Sequence, residues 1–348
     1  MIPQDLQALQ WRDGKLILLD QRKLPRKIEF YSCVKMEDCI YAIKSMIVRG
    51  APLIGFTAIF GLALWLKEYP SANLDELKNA GQKLVDARPT AVNLYYEVER
   101  TLAFIQTDPS CANLWEKVVS FAFTQIELLK NNNTKMAFAA EKKLEEFGSG
   151  PYRLMTLCNT GYLACGTLGT ALGVITHLAK KNKIAHVYAS ETRPYLQGAR
   201  LTAFELKVLN IPHSVVVDGA ASYLMREKLV DAIFIGADRI VANGDTANKI
   251  GSAGLAAIAK HYGIPFYVVA PLSSFDFNLT SGEQIPVELR SPQEILSWNG
   301  HQISADGVNA LNPSFDITEA ALISGIFCEA GFFSPVTTQS LNRIKQGA

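Results

Sequence analysis

The chain lacks the charge imbalance of proteins that bind nucleic acids. Lys and Arg number 34 against 33 Asp and Glu, so the formal net charge is only +1. A nucleic-acid surface needs an excess of basic side chains to neutralise backbone phosphates. The composition therefore predicts a protein that does not bind nucleic acid.

The sequence predicts neither a membrane-spanning segment nor a leader segment. The apolar stretch at residues 51–66 contains Gly55 and Gly61 and is shorter than the ~20 residues that span a bilayer. Residues 1–5 carry neither the basic nor the apolar segment of a signal peptide. We expect a core helix at residues 51–66 and no membrane association.

Cysteine and histidine show no paired spacing. The six cysteines form no CxxC pair, and the five histidines are not spaced with them as metal ligands would be. This pattern predicts reduced thiols, a cytoplasmic protein and no bound metal.

The 348 residues are enough for about two domains, and the pattern changes near Gly148-Ser149-Gly150-Pro151. Before this point helical periodicity dominates, with one helix start at Asn73 and another at Asn93. The first thirty residues instead alternate around Asp13-Gly14, which is typical of a β-hairpin. We predict a first domain at residues 1–147, with a small β-region and helices.

Short apolar runs separated by helix-length segments follow Pro151. They predict strands at residues 154–157, 184–189, 214–217, 232–235 and 265–269. This alternation is typical of an α/β domain with a parallel, Rossmann-like sheet. We assign it to residues 148–348.

Polar side chains follow these strands at their carboxyl ends. Cys158 follows the first, Thr192 and Arg193 the second, Asp218 the third and Asp238 the fourth. Open α/β sheets bind ligands at this edge, so the side chains should converge on one crevice.

Two of these residues could carry chemistry. Cys158 precedes a glycine-rich segment, residues 161–175, that predicts a helix whose N-terminus would favour a thiolate; alternatively, Cys158 is a small core residue. Asp238 could meet a substrate or be a solvated turn residue. The nearby Asn248 and Lys249, expected in the same turn, favour the first interpretation because amide and ammonium groups bind hydroxyls and anions.

Other segments predict contacts to an anionic ligand. Arg49, Gly50 and Ala51 precede Pro52 at a helix start, where backbone N–H groups and a guanidinium could cradle a phosphate. Arg88 could add a second guanidinium or merely cap a helix C-terminus. Gln197 opens the helix after the second strand, where its amide could bind a sugar hydroxyl or face water.

Taken together, the sequence resembles the methylthioribose-1-phosphate isomerases of methionine salvage. The resemblance rests on blocks spread over nearly the whole chain: WRDGKLILLDQRKLP, MIVRGAPLIG, ARPTAVNL, LCNTGYLACGTLGTALGVI, ETRPYLQGARLTAFEL, IGADRIVANGDTANKIG and ADGVNALNPSFDITEAALISGI. It implies an N-terminal β-region and helical domain, a Rossmann-like domain, a homodimer and a sugar-phosphate substrate, without a cofactor.

The resemblance also implies roles for individual residues. Cys158 and Asp238 would be catalytic, and the substrate would be bound by Arg49, Gly50, Ala51, Arg88, Gln197, Asn248 and Lys249. We expect Asp238, protonated in an apolar site, to donate to the ring oxygen of the sugar. Hydrogen would then move from carbon 2 to carbon 1, either as a proton through Cys158 or as a hydride.

Two rival functions remain open at this stage. A ribose-1,5-bisphosphate isomerase would need further cations for a second phosphate. A regulatory subunit of the translation initiation exchange factor would share the fold and bind protein partners, but it would need neither Cys158 nor Asp238.

Overall fold

The computed structural model describes residues 3, 6–89, 91–108, 113–298 and 300–347. Thr90, Cys111 and most of the segment examined for a leader, residues 1–5, lie outside the described residues. The chain forms two compact units. Unit 1 comprises Met1–Asn131 and Gly161–Gly169, and unit 2 comprises Asn132–Thr160 and Thr170–Ala348. The domain border at residues 147 and 148 stays a prediction.

Unit 1 begins with a three-stranded antiparallel sheet. Its strands are β1 (Leu9–Arg12), β2 (Lys15–Leu19) and β3 (Phe30–Cys33), with β2 in the centre. Arg12 pairs with Lys15 around Asp13 and Gly14, whose φ angles are 52° and 69°. Two residues with positive φ form the tight turn whose twist matches a hairpin. The predicted hairpin is confirmed.

Helices make up the rest of unit 1. They are α1 (Met36–Lys44), α2 (Ala51–Glu68), α3 (Leu74–Val85), α4 (Val92–Gln106), the part of α5 (Leu114–Glu145) before residue 132, and α6 (Tyr162–Cys165). By length and composition alone, α2 could cross a membrane, but 72% of it is buried inside the protein. Its aromatic and aliphatic side chains fill the interior, which favours a core helix.

The helix starts in unit 1 test two sequence signals. Asn73 Oδ1 accepts hydrogen bonds from the backbone N–H groups of Asp75 and Glu76, and the Glu76 carboxylate accepts one from the backbone N–H of Asn73, so the predicted capping box is confirmed. The start predicted at Asn93 is wrong, because α4 begins at Val92 with Ala91 as its N-cap. Asn93 therefore lies inside the first turn.

Unit 2 contains the predicted parallel sheet. The strands of this unit are β4 (Tyr152–Thr156), β5 (Ile184–Ser190), β6 (His213–Val216), β7 (Ala232–Ile235), β8 (Arg239–Val241), β9 (Thr246–Lys249), β10 (Phe266–Val269), β11 (Phe275–Asp276), β12 (Ser297–Trp298), β13 (His301–Gln302), β14 (Phe315–Thr318), β15 (Gly325–Cys328) and β16 (Gly331–Phe333). The main sheet has the order β16-β15-β10-β7-β4-β5-β6, parallel except at β16. The α/β fold class with a Rossmann-like sheet is confirmed.

Helices lie between these strands and after the last of them. They are α7 (Ala171–Lys180), α8 (Ala203–Val208), α9 (Ala221–Arg226), α10 (Ser252–Tyr262), α11 (Gln293–Leu296) and α12 (Thr338–Gly347). The expectation of one helix over residues 161–175 is wrong. Gly166 ends the four-residue α6 in a left-handed conformation, and α7 starts only at Ala171, because glycine adopts this terminating conformation without steric cost.

A second sheet was not expected from the sequence. Strands β8 and β9 form a hairpin, β9 pairs antiparallel with β14, and β8 pairs parallel with β11. Asn248 and Lys249 therefore lie on a strand and not in a turn. The residues of this hairpin are mixed polar and apolar, so they lack the alternation that marks a strand in sequence.

Candidate active site

The carboxyl ends of the central strands meet as the sequence predicted. Strands β4 and β7 are neighbours, with Thr156 opposite Phe234, and Cys158 and Asp238 follow these two strands. Adjacent strands are about 4.8 Å apart. Asp218 at the end of β6 accepts backbone N–H bonds from Thr192 at 2.8 Å and Arg193 at 2.7 Å, after β5. Four strand ends therefore build one edge of unit 2.

Cys158 is held by three hydrogen bonds. Its backbone N–H donates to Thr192 Oγ1 at 2.9 Å, and its carbonyl accepts from Thr202 Oγ1 at 2.6 Å. Gln197 Nε2 donates to the sulfur at 3.4 Å. The expected effect of a helix N-terminus is not supported, because the four-residue α6 has almost no dipole. An amide donor is the group that can stabilise negative charge on this sulfur.

Gln197 and Thr202 reach Cys158 from one irregular turn. Residues Gly198–Thr202 form a π-helical segment, a rare conformation that occurs often at functional sites. A Cβ atom at Gly198 would overlap the carbonyl oxygen of Ser190 at the end of β5. Glycine at this position therefore allows the turn to lie directly against the sheet.

The buried amide oxygen of Gln197 lacks a hydrogen-bond donor among the described residues. The residue is only 3% exposed, and no donor in the described part of the chain reaches Oε1. An unpaired buried carbonyl costs about 1–3 kcal/mol. The predicted contact of Gln197 with a substrate hydroxyl would satisfy this atom.

The loop that contains Asp238 packs against the loop that contains Cys158, but the environment of the Asp238 side chain differs from the expected one. A Cβ atom at Gly236 would lie 2.8 Å from the methyl group of Thr160, so the two loops pack tightly. The backbone N–H of Asp238 donates to Ala247 O at 2.9 Å, which fixes the residue to β9. Its side chain is exposed, so the structure does not provide the apolar environment that the sequence analysis expected.

Asn248 and Lys249 are oriented by polar neighbours. Asn248 Nδ2 donates to Ser252 Oγ at 2.8 Å, and Lys249 Nζ donates to Ser314 O at 2.5 Å. Asp316 on β14 pairs with Asn248 and accepts backbone N–H bonds from Gly251 and Ala253 at the start of α10. Burial raises the pKa of Asp316, and these N–H bonds oppose the increase.

Ser314 and Asp316 were missed by sequence reasoning. They lie about 65 residues downstream of Lys249 and Gly251, and their segment supplied only the resemblance. Antiparallel pairing of β9 with β14 brings them together. Because the paired strands are far apart in sequence, no local pattern predicts their pairing. The segment is recognisable only as one of the blocks on which the resemblance rests.

The residues predicted to form an anion cradle lie in unit 1, at the start of α2. Gly50 is the N-cap of α2 with φ of 92°, and no side chain caps this helix. A Cβ atom at Gly50 would lie 2.5 Å from the backbone of Ala164, so glycine is required by both conformation and space. The first turn of α2 contains no acidic residue, and Arg49 precedes it. A helix start with these properties favours anions.

Arg88 lies in the turn between α3 and α4. Its backbone N–H donates to Val85 O and its carbonyl accepts from Ala91 N, both at 3.0 Å. The side chain is half-buried. Its contact with a substrate stays a prediction.

Over the described ranges, no group of three or more His, Cys, Asp and Glu side chains could hold a metal ion.

Comparison with known proteins gives a consistent assignment. The model of the initiation factor 2 subunit family matches residues 47–335. A methylthioribose-1-phosphate isomerase of Caldicellulosiruptor saccharolyticus is 42% identical, over 98% of this chain and 100% of the relative.

Two solved structures are similar over nearly the whole chain. The 5-methylthioribose 1-phosphate isomerase of Pyrococcus horikoshii OT3 has a TM-score of 0.91 and 36% identity, covering 98% of this chain and 96% of that one. The translation initiation factor eIF-2B, subunit delta, from A. fulgidus has a TM-score of 0.87 and 35% identity, covering 98% and 99%. The chain therefore belongs to the initiation factor 2 subunit family and, within it, to the methylthioribose-1-phosphate isomerases.

Proposed function

We propose that the protein converts 5-methylthioribose 1-phosphate into 5-methylthioribulose 1-phosphate, an aldose–ketose isomerisation in methionine salvage. The observation that carries the proposal is the 42% identity to an isomerase over 98% of this chain. The geometry agrees with it, because Cys158 and Asp238 follow adjacent strands of one sheet.

The chemistry explains why an acid and a thiol are needed. The anomeric oxygen is esterified with phosphate, so the ring cannot open to a free aldehyde. Asp238 would donate a proton to the ring oxygen while the bond from that oxygen to carbon 1 breaks. The hydroxyl on carbon 2 would return a proton to Asp238 as it becomes the ketone, so the aspartic acid is regenerated.

Hydrogen must also move from carbon 2 to carbon 1. In the proton route, the Cys158 thiolate removes the proton from carbon 2 and later delivers it to carbon 1. In the hydride route, hydrogen moves directly from carbon 2 to carbon 1, and Cys158 stabilises the positive charge that develops at carbon 1. Turnover in deuterated water separates the routes, because solvent deuterium at carbon 1 is expected only for the proton route.

Because Asp238 is exposed, the substrate would also have to cover its carboxyl group. Burial disfavours a charged carboxylate, so a carboxyl group that must donate a proton near neutral pH should be covered when it acts. We infer that the bound sugar itself removes water from Asp238.

Substrate binding is proposed for the residues that the resemblance identifies. Arg49, Gly50 and Ala51 would bind the phosphate at the start of α2, and Arg88 would add charge. Gln197 Oε1 would accept a hydrogen bond from a sugar hydroxyl, with Asn248 and Lys249 completing the set. Such contacts need no cofactor, since N–H groups and cations bind phosphate directly.

The decisive experiment supplies purified protein with 5-methylthioribose 1-phosphate and follows the ketose phosphate by phosphorus NMR. Ribose 1,5-bisphosphate is tested in parallel. Conversion of the methylthio sugar alone supports the proposal. Conversion of the bisphosphate alone would assign the related isomerase activity instead.

A scaffold role is the second candidate, favoured by the 35% identity to the A. fulgidus protein named as an initiation factor subunit. A scaffold needs neither Cys158 nor the irregular turn that holds it. If neither sugar is converted, this role replaces the isomerase.

We also propose a cytoplasmic homodimer that does not associate with membranes. The five cysteines in the described ranges form no disulfide, as in reducing compartments. Strand β6 is an edge strand with Val215 exposed and Val217 exposed just beyond it, and uncovered apolar edges favour pairing with another chain. Light scattering should give twice the chain mass, and Val217→Lys should lower it if this edge is the interface.

A further inference from the structure

The backbone of Cys158 has a conformation that costs energy. Its φ angle is 68°, in the left-handed region that residues with a side chain seldom adopt. Holding a residue there costs about 1–3 kcal/mol and requires surrounding contacts that impose it. The structure shows those contacts on both sides of the residue, at its N–H and at its carbonyl.

Thr192 supplies the contact on the N–H side. Its hydroxyl donates to Ser190 O at 3.0 Å, which leaves a lone pair to accept the N–H of Cys158 at 2.9 Å. The side chain is buried, with 1% of the residue exposed. One hydroxyl therefore links the end of β5 to the residue after β4.

Thr192 is itself held in place by Asp218. Thr192 has a φ angle of 63°, and its N–H donates to Asp218 Oδ1 at 2.8 Å. Ser190 Oγ donates to the same oxygen at 2.5 Å, and the N–H of Arg193 donates to Oδ2 at 2.7 Å. A carboxylate with three donors fixes the loop after β5, because charged acceptors form short, strong hydrogen bonds.

We propose that Thr192 is a positioning residue for Cys158, supported by Asp218. The inference rests on the proposed function, since it assigns Thr192 to the same site. Thr192 contacts the backbone N–H of Cys158, so it would act on the sulfur through the backbone. Its hydroxyl holds the Cys158 backbone in the left-handed conformation, which directs the sulfur to Gln197 Nε2. Without the hydroxyl, the Cys158 backbone can relax and the sulfur leaves this donor.

Two substitutions at Thr192 separate the effect of losing the hydroxyl from the effect of changing the side-chain shape. Thr192→Val keeps the branched side chain and the backbone bond to Asp218 but removes the acceptor, whereas Thr192→Ser keeps the acceptor. We expect Thr192→Val to lower kcat at least tenfold with KM changed less than twofold, because a displaced sulfur affects the chemical step. Thr192→Ser should stay within threefold of the native kcat.

A matched control tests whether losing any buried hydroxyl has this effect. Thr101 is fully buried, and its hydroxyl donates to Glu97 O at 2.6 Å in unit 1. Thr101→Val should leave kcat unchanged. If Thr101→Val and Thr192→Val lower kcat equally, the role of Thr192 is structural and the proposal fails.

Alkylation of Cys158 by iodoacetamide gives a readout that does not depend on catalysis. Peptide mass spectrometry follows the modified residue, with Cys158→Ala as the blank. We expect Thr192→Val to raise the rate at least threefold by releasing the half-buried sulfur, and Thr192→Ser to leave it unchanged. An unchanged or lower rate in Thr192→Val overturns the proposal. If native protein converts neither sugar but alkylation responds as expected, the isomerase function fails and the positioning role stands.

Discussion

At the scale of single residues, Cys158 and Asp238 differ in how firmly the fold fixes their side chains. Cys158 is half-buried and fixed through its N–H, its carbonyl and its sulfur. Asp238 is held through its backbone N–H and exposes its carboxylate. The thiol is therefore oriented in the free protein, whereas under the proposed mechanism the acid would depend on the substrate for its environment.

Substitution of either residue should remove turnover without unfolding the protein. Cys158→Ala and Asp238→Asn should each lower kcat at least a thousandfold, about 4 kcal/mol of transition-state stabilisation. Steady-state kinetics and circular dichroism at matched concentration check this. Turnover within tenfold of the native protein in either variant would remove that residue from the catalytic pair.

At the scale of elements, the π-helical turn at Gly198–Thr202 determines the geometry around the sulfur. The turn brings Gln197 and Thr202 to the same residue, and its closeness to β5 depends on the absence of a side chain at Gly198. Moving this turn would separate both donors from Cys158.

Gly198→Ala should therefore lower kcat by ten- to a hundredfold, because the added methyl group overlaps Ser190 O and displaces the turn. The control is Gly254→Ala, an exposed position on α10 where a Cβ atom meets nothing within 4 Å. That variant should keep native kinetics. Equal kcat for both variants would show that the position of the turn is unimportant.

At the scale of the whole molecule, unit 2 contains an ion cluster around the buried carboxylate of Glu141. Glu141 on α5 accepts hydrogen bonds from His177, Lys181 and Lys183 at 2.6–2.8 Å. Burial raises the pKa of Glu141, but the three hydrogen bonds together outweigh it and lower the pKa from 4.5 to about 2. The cluster ties α5 to the segment between α7 and β5.

This shift predicts an acid-dependent loss of stability. The contribution of a carboxyl group with a lowered pKa is complete above its unfolded value of 4.5 and disappears as pH falls towards about 2. We expect about 2 kcal/mol, allowing for solvent screening at the partly exposed Lys181. Urea unfolding from pH 6 to pH 3 should show Glu141→Gln less stable at pH 6, with the difference shrinking below pH 4.5.

An exposed acid on the same helix is the comparison. Glu127 pairs with Lys130 on the surface of α5, so Glu127→Gln should change the unfolding free energy by less than about 0.5 kcal/mol at either pH. An equal effect of the two substitutions at pH 6 would contradict the role of burial.

The sequence by itself determined the features that depend on neighbours along the chain. The Asp13-Gly14 hairpin, the capping box at Asn73 and the buried strand β7 follow from turn residues, capping side chains and apolar runs. The alternation of strands and helices then predicted a parallel sheet with Cys158 and Asp238 at one edge. These features needed no long-range contact to be recognised.

Only the tertiary structure decided how the site is held. The pairing that places Asn248 on a strand and the hydrogen bond from the Cys158 N–H to Thr192 Oγ1 join segments far apart in sequence. Local propensity carries no information about such contacts, because the energy that selects them comes from packing and hydrogen bonds formed after the strands assemble. Candidate residues for the site could therefore be proposed from sequence, and the hydrogen bonds that orient them could not.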